Sequence, residues 1–189
     1  MVEAHREDLV AAYIGQTAIK TKAKITEALD GVLFIDEAYS LHVESIGHRD
    51  FGAEAVATLI AEMENKRDRL AVIVAGYPEE MKNFINMNPG LSSRFTRYIE
   101  FKDYHPKELA EIFMKLAEDS DYKLDEKAGR ALLGHLTSAH AKRARHFGNG
   151  RYVRKIFEEA VEMHDTRVKK SGVHDRDSLA LLTKADLPI

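Results

Sequence analysis

The stretch GVLFIDEAYSL, residues 31–41, decides how this chain is read. Its apolar run VLFI (32–35) is short and continuous, the pattern of a strand buried on both faces rather than of a half-exposed one. Two adjacent acids, Asp36 and Glu37, end the run. An acidic pair at that point either enters a solvated loop or stands at the carboxyl edge of a parallel sheet, where such sheets bind ligands.

The flanking segments favour a parallel sheet. FGAEAVATLIAEMEN (51–65) places Val56, Leu59, Ile60 and Met63 on one helical stripe. LAVIVAG (70–76) reads as a second buried strand, and PEEMKNFINM (78–87) opens with Pro and acids as helix starts do. NPG (88–90) stops that helix, and RYIEF (97–101) alternates like a third strand. Upstream, residues 2–5 fit a short strand, and TAIKTKAKITEAL (17–29) fits a helix burying Ala18, Ile25, Ala28 and Leu29. Strand alternating with helix predicts a parallel sheet with covering helices, its strands at 32–36, 71–76 and 97–101.

The second half holds no convincing strand. Apolar residues recur at helical spacing in 106–119 (Leu109, Ile112, Phe113, Leu116), in 125–140 and in 151–170. The expected organisation is an α/β part over 1–104 and a helical part over 105–189.

Composition narrows the class. The 189 residues are 44% hydrophobic and 31% charged, which suits a globular protein. A net charge of −3 gives no global argument for nucleic acid or membrane. Cysteine is absent, which excludes disulfides, thiolate metal sites and cysteine nucleophiles. No apolar run approaches the roughly 20 residues that span a bilayer. MVEAHREDLV has neither the basic start nor the apolar stretch of a signal peptide, so an intracellular, cytoplasmic protein is expected. The basic run HAKRARH (140–146) reads as a solvated loop face rather than a nucleic-acid site, since no aromatics interleave it. The histidine pairs His42/His48 and His140/His146 lack metal-ligand spacing and read as solvent-facing.

In P-loop nucleotidases an Asp at a strand end helps hold Mg²⁺ and the following Glu polarises the attacking water. GVLFIDEAYSL, DFGAEAVATLIAEMEN, VIVAGYPEEM, NPGLSSRF and FGNGRYVRKIFEEAV occur here in that order. Together they resemble the AAA+ ATPases of the CbxX/CfqX family, most closely its stage V sporulation protein K-like branch, over nearly the whole chain. That resemblance implies an α/β nucleotide-binding core followed by an all-helical lid, a hexameric ring, ATP with Mg²⁺ as cofactors, and a polypeptide as the substrate that the ring remodels or threads.

It also implies roles. Asp36 matches the Walker B metal acid and Glu37 the catalytic base. Arg94 in SSRF matches the arginine finger that enters a neighbouring subunit's site, with Arg97 second; a planar fixed charge suits phosphate oxygens. Arg151 matches the sensor 2 arginine, with Arg154 second, and Tyr77 stands where many relatives place an Asn, Ser or Thr sensor. Tyr13, Ile14 and Gly15 resemble the substrate-gripping pore loop.

One expected element is missing. The string G-x-x-x-x-G-K-[ST], whose amides and lysine cradle phosphates, occurs nowhere in the sequence. By the resemblance, the chain starts near the family's second strand and lacks the first strand with its phosphate loop, and that strand belongs between the segments 71–76 and 97–101. Two functions remain open. The chain is the C-terminal part of an ATP-hydrolysing motor that is inactive alone, or it is a non-catalytic interaction module of the same shape.

Overall fold

The computed structural model describes residues 1–13, 15–42, 51–144, 147–172 and 175–189. It divides into two compact units, residues 1–100 and 101–189.

The first unit is built on three parallel strands, β1 (Val2–Ala4), β2 (Gly31–Ile35) and β3 (Leu70–Val74), in the order β1-β2-β3. The register pairs Val2 with Leu33, Ala4 with Ile35, Leu33 with Val72 and Ile35 with Val74. Paired residues of a parallel ladder point to one face, so Val2, Ala4, Leu33, Ile35, Val72 and Val74 share a face. That face carries the core. It is packed by Leu9 of α1 (Arg6–Leu9), Ile25 of α2 (Thr17–Glu27), Val56 and Leu59 of α3 (Gly52–Asn65), Phe84 and Ile85 of α4 (Pro78–Asn86) and Leu91 of α5 (Pro89–Arg94). Thr17 and Thr21 complete the buried stripe of α2. Thr17 accepts from the Ala11 amide at 3.1 Å and Thr21 donates to the Leu9 carbonyl at 2.9 Å. Both hydroxyls are therefore satisfied away from water, which is what allows them inside.

The opposite face of the sheet is another matter. Phe34 pairs with Ile73 on it, yet Ile73 is 48% exposed and neither belongs to the core cluster. The expectation of β3 as a strand buried on both sides is thus corrected: the helices of this unit pack on one face only, and the strand alternates between half-buried and exposed residues.

The third strand expected at 97–101 does not form. These residues have no regular structure, with Tyr98, Ile99 and Phe101 at 72, 82 and 91% exposure. A strand without a ladder partner has nowhere to place its amides except water, and β3 remains an unpaired edge. NPG also does more than stop α4. Pro89 takes the first position of α5, and Asn88 caps it by accepting from the Gly90 amide at 2.7 Å.

The second unit packs α6 (Pro106–Asp119), α7 (Glu126–Ala141) and α8 (Gly150–Ser171) around Leu109, Phe113, Leu132, Leu136, Val153 and Phe157. Phe113 meets Phe157 edge-on, ring centroids 5.5 Å apart, a favoured aromatic geometry. The helices start cleanly: the His105 amide donates to Glu108, and Asp125 accepts from the Ala128 amide. This unit is not wholly helical, as the sequence had suggested. The two-residue strands β4 (Lys123–Leu124) and β5 (Leu181–Leu182), the latter following α9 (Arg176–Ala180), form a parallel pair. The Asp125 amide extends it to the Leu182 carbonyl, fastening the α6–α7 connection to the C-terminal segment. Beyond β5, buried Asp186 takes a two-pronged bond from Arg167 at 2.7 and 3.0 Å and also accepts from Thr183. No helix of the described residues is long and apolar enough to cross a membrane.

Candidate functional site

The parallel sheet brings the carboxyl ends of all three strands to one edge, and the acidic pair stands there. Asp36 follows β2 directly, with its amide donating to the Ala4 carbonyl at 3.1 Å. Its Oδ1 accepts from the Glu37 amide at 3.0 Å, which fixes the carboxylate and leaves its second oxygen for another partner. Glu37 has a left-handed backbone, φ 51° and ψ 42°, a conformation costly for a residue with a Cβ and shared with Asp30 and Asp121. The strained turn is held on three sides. The Ala38 amide donates to the Ala75 carbonyl at 3.0 Å, the Ser40 amide returns to the Glu37 carbonyl at 2.8 Å, and the Arg6 guanidinium donates to the Ser40 carbonyl. A short 3₁₀ turn, Ala38–Leu41, follows.

Tyr77 lies at the same edge, as the residue preceding α4, and is 37% exposed. The approach to it is tight, since a Cβ at Gly76 would stand 2.8 Å from the Tyr39 ring.

Arg94 ends α5. It donates to Glu64 at 3.3 Å, to the Gly90 carbonyl at 3.3 Å and to Ser93 at 3.2 Å, while its buried Nε has no hydrogen-bond partner among the described residues. Glu64, near the end of α3, was not singled out by sequence; it lies thirty positions before Arg94, which hid the pairing. Arg97 is exposed.

Arg151 and Arg154 belong to the second unit and are both exposed in the first turns of α8. Asn149 precedes that helix and makes three side-chain bonds that sequence reading missed, because GNG looks like an ordinary turn. Tyr13 is 71% exposed and Gly15 turns through φ 77° before α2. Ile14 lies outside the described residues, as do His48, Arg145 and His146. His140, read from sequence as solvent-facing, is half-buried: its ring lies against Phe147 and His105, and Arg143 bonds to it. Among the described residues no three His, Asp or Glu side chains gather as a metal cluster.

Comparison with known proteins fits this arrangement. Residues 1–103 match the family model "ATPase family associated with various cellular activities (AAA)" and residues 105–189 match "AAA lid domain". Stage V sporulation protein K of Bacillus subtilis (strain 168) is 39% identical over 190 residues, covering 100% of this chain and 58% of that protein. ESX-1 secretion system protein EccA1 of Mycolicibacterium smegmatis is 45% identical over 188 residues, 96% of this chain and 32% of the relative. Protein CfxQ homolog of Galdieria sulphuraria is 42% identical, over 96% of this chain and 57% of the relative. The chain thus spans from about a third to three-fifths of the length of these relatives. The crystal structure of the FIGL-1 AAA domain superposes with a TM-score of 0.63 at 17% identity, covering 97% of this chain and 58% of that one, a likeness of fold.

Proposed function

The chain belongs to the AAA family of ATPases, with relatives of the stage V sporulation protein K and CfxQ type, and from that membership we propose that it is the part of an ATP-driven ring that holds the hydrolytic acids and the sensing arginines. Its parts are a partial α/β core over 1–104, without the first strand and phosphate loop, and a helical lid over 105–189. The parent protein is a cytoplasmic homo-hexamer that couples ATP hydrolysis to remodelling or threading a polypeptide.

The observation that carries this reading is the turn at Asp36 and Glu37. Asp36 has one carboxylate oxygen tied to the Glu37 amide and one with no hydrogen-bond partner among the described residues, at the edge where a parallel sheet receives ligands. A single hard, oriented oxygen fits Mg²⁺, which keeps most of its ligands as water and phosphate. Asp36 would hold the ion, which would supply positive charge to offset that of the nucleotide phosphates. Glu37, next along the turn, accepts the proton of the attacking water. Arg94 supplies a fixed positive charge to the site of an adjacent subunit, Tyr77 orients water, Arg151 contacts phosphate with Arg154 second, and Tyr13, Ile14 and Gly15 grip substrate.

The test is turnover in the full-length protein. Glu37→Gln traps bound ATP, and Arg94→Ala lowers turnover by about 10³-fold while ATP binding persists, the scale of an arginine finger. Normal turnover in either variant removes that residue from the site. Residues 1–189 alone bind Mg-ATP no tighter than about millimolar, since one arginine contact of roughly 1.5–3 kcal/mol falls far short of the roughly 8 that micromolar binding needs. Calorimetry giving a micromolar constant would overturn this.

The second reading, a non-catalytic interaction module, draws on the open sheet face around Ile73 and the exposed residues 97–101. It requires full activity of the assembly with Glu37→Gln in place.

A further inference from the structure

Asn149 sits between Gly148 and Gly150 with φ 45° and ψ −119°. Glycine adopts such a backbone freely, whereas an asparagine is strained there. An asparagine just before a helix ordinarily accepts from the first free amides of that helix. Asn149 makes no such cap. Its side chain turns the other way, with Oδ1 accepting from the Tyr104 amide at 3.0 Å and Nδ2 donating to Asp103 at 2.7 Å and to the Phe147 carbonyl at 3.3 Å. Asp103 is held in turn by Arg143 at 2.9 Å, and Arg143 donates to the His140 carbonyl at 2.7 Å. The Asn149 bond, ahead of that of Arg143, keeps the Asp103 carboxyl below its ordinary range despite desolvation.

A strained backbone and a forgone cap are both costs, and the side chain's three bonds are what offsets them. All three lead to residues 103–104 or to the turn itself. Two residues on, Arg151 opens α8, with its amide bonded to the Gly148 carbonyl at 2.9 Å. The turn that fixes the position of Arg151 is therefore fastened to the segment entering α6 and to the end of α7.

We propose that Asn149 is a positioning residue for Arg151: its side chain, clamped to Asp103 and Tyr104, sets where α8 begins and so where the Arg151 guanidinium meets nucleotide phosphate. This rests on the reading of Arg151 as a phosphate sensor. A plain turn former would serve equally well, or better, as glycine; a positioning residue would not.

The experiment is a double-mutant cycle on ATP turnover in the full-length protein, with lid melting followed in parallel. Arg151→Ala raises the KM for ATP about tenfold. Asn149→Gly, which relieves the backbone and folds, raises it about fivefold without lowering the melting temperature, and the double variant matches Arg151→Ala within twofold. Asn149→Asp, which sets a carboxylate against Asp103, raises KM as well, and adding Asp103→Asn restores it. A normal KM in Asn149→Gly, or effects of the two substitutions that multiply in the double variant, overturns the proposal while leaving the sensor reading intact. A normal KM in Arg151→Ala overturns the sensor reading and the proposal with it.

Discussion

The two units use similar numbers of residues to opposite effect. In the second, three helices pack around a shared core to which the C-terminal segment adds Leu182 and Leu187. In the first, the helices gather on one face of a three-stranded sheet; Ile73 on the other face and Tyr98 and Ile99 stay in water. Parallel sheets are normally covered on both faces, since both carry apolar residues. The difference teaches that the helical unit specifies its own closure, whereas the α/β unit presents surface whose partner lies outside its own packing.

The sharpest way to break this comparison is to open the closed core. Phe113→Ala removes a ring packed against Phe157 and costs about 3–5 kcal/mol. The helical unit then melts early and the α/β unit at its usual temperature; a single shared shift in calorimetry would refute the independence of the units.

Asp186→Asn is next, at about 2 kcal/mol, because Arg167 keeps a partly exposed side chain and the loss is screened. Burial pushes the Asp186 carboxyl up, but the Arg167 and Thr183 bonds outweigh it and hold it below its ordinary 3.8. A carboxyl lowered on folding adds stability above its unfolded value and loses it as pH falls through its folded one. Acid should therefore weaken the helical unit from about pH 4 downward, and Asp186→Asn should flatten that slope. An unchanged slope would assign the acid sensitivity elsewhere.

Asp125→Ala, which removes the cap of α7, costs about 1 kcal/mol by denaturant titration. The smallest stability effect belongs to the open side. Ile99→Ser changes the melting free energy of the chain by less than about 0.5 kcal/mol, as for a residue touching no core, but lowers self-association in sedimentation. A loss as large as that of a buried isoleucine would show that residues 97–101 pack after all.

Much of this was legible in the sequence, and the remainder failed for identifiable reasons. The spans of β2, α3, α6 and α8 follow from hydrophobic period, which local sequence sets. Asp36 stands out because two acids ending an apolar run are uncommon. RYIEF has the right alternation for a strand, but alternation supplies no ladder partner. Thr17 and Thr21 look polar and are core, since only the fold provides the carbonyl and amide that satisfy them. Glu64 and Asn149 escaped because their significance lies in distant partners, Arg94 and Asp103.

The register of the sheet has a consequence for the order of events during folding. Val2 pairs with Leu33 and Gly31 with Leu70, so each ladder closes only after an intervening crossover has been gathered in. Loop-closure entropy must be met before those contacts reward it, which makes such pairing slow. The helical unit has more local contacts between successive helices, but it too joins distant residues, Phe113 with Phe157 and Lys123 with Leu181. The edge bearing Asp36 and Glu37 is therefore complete only once both crossovers have closed, because Asp36 bonds to Ala4 and Ala38 to Ala75.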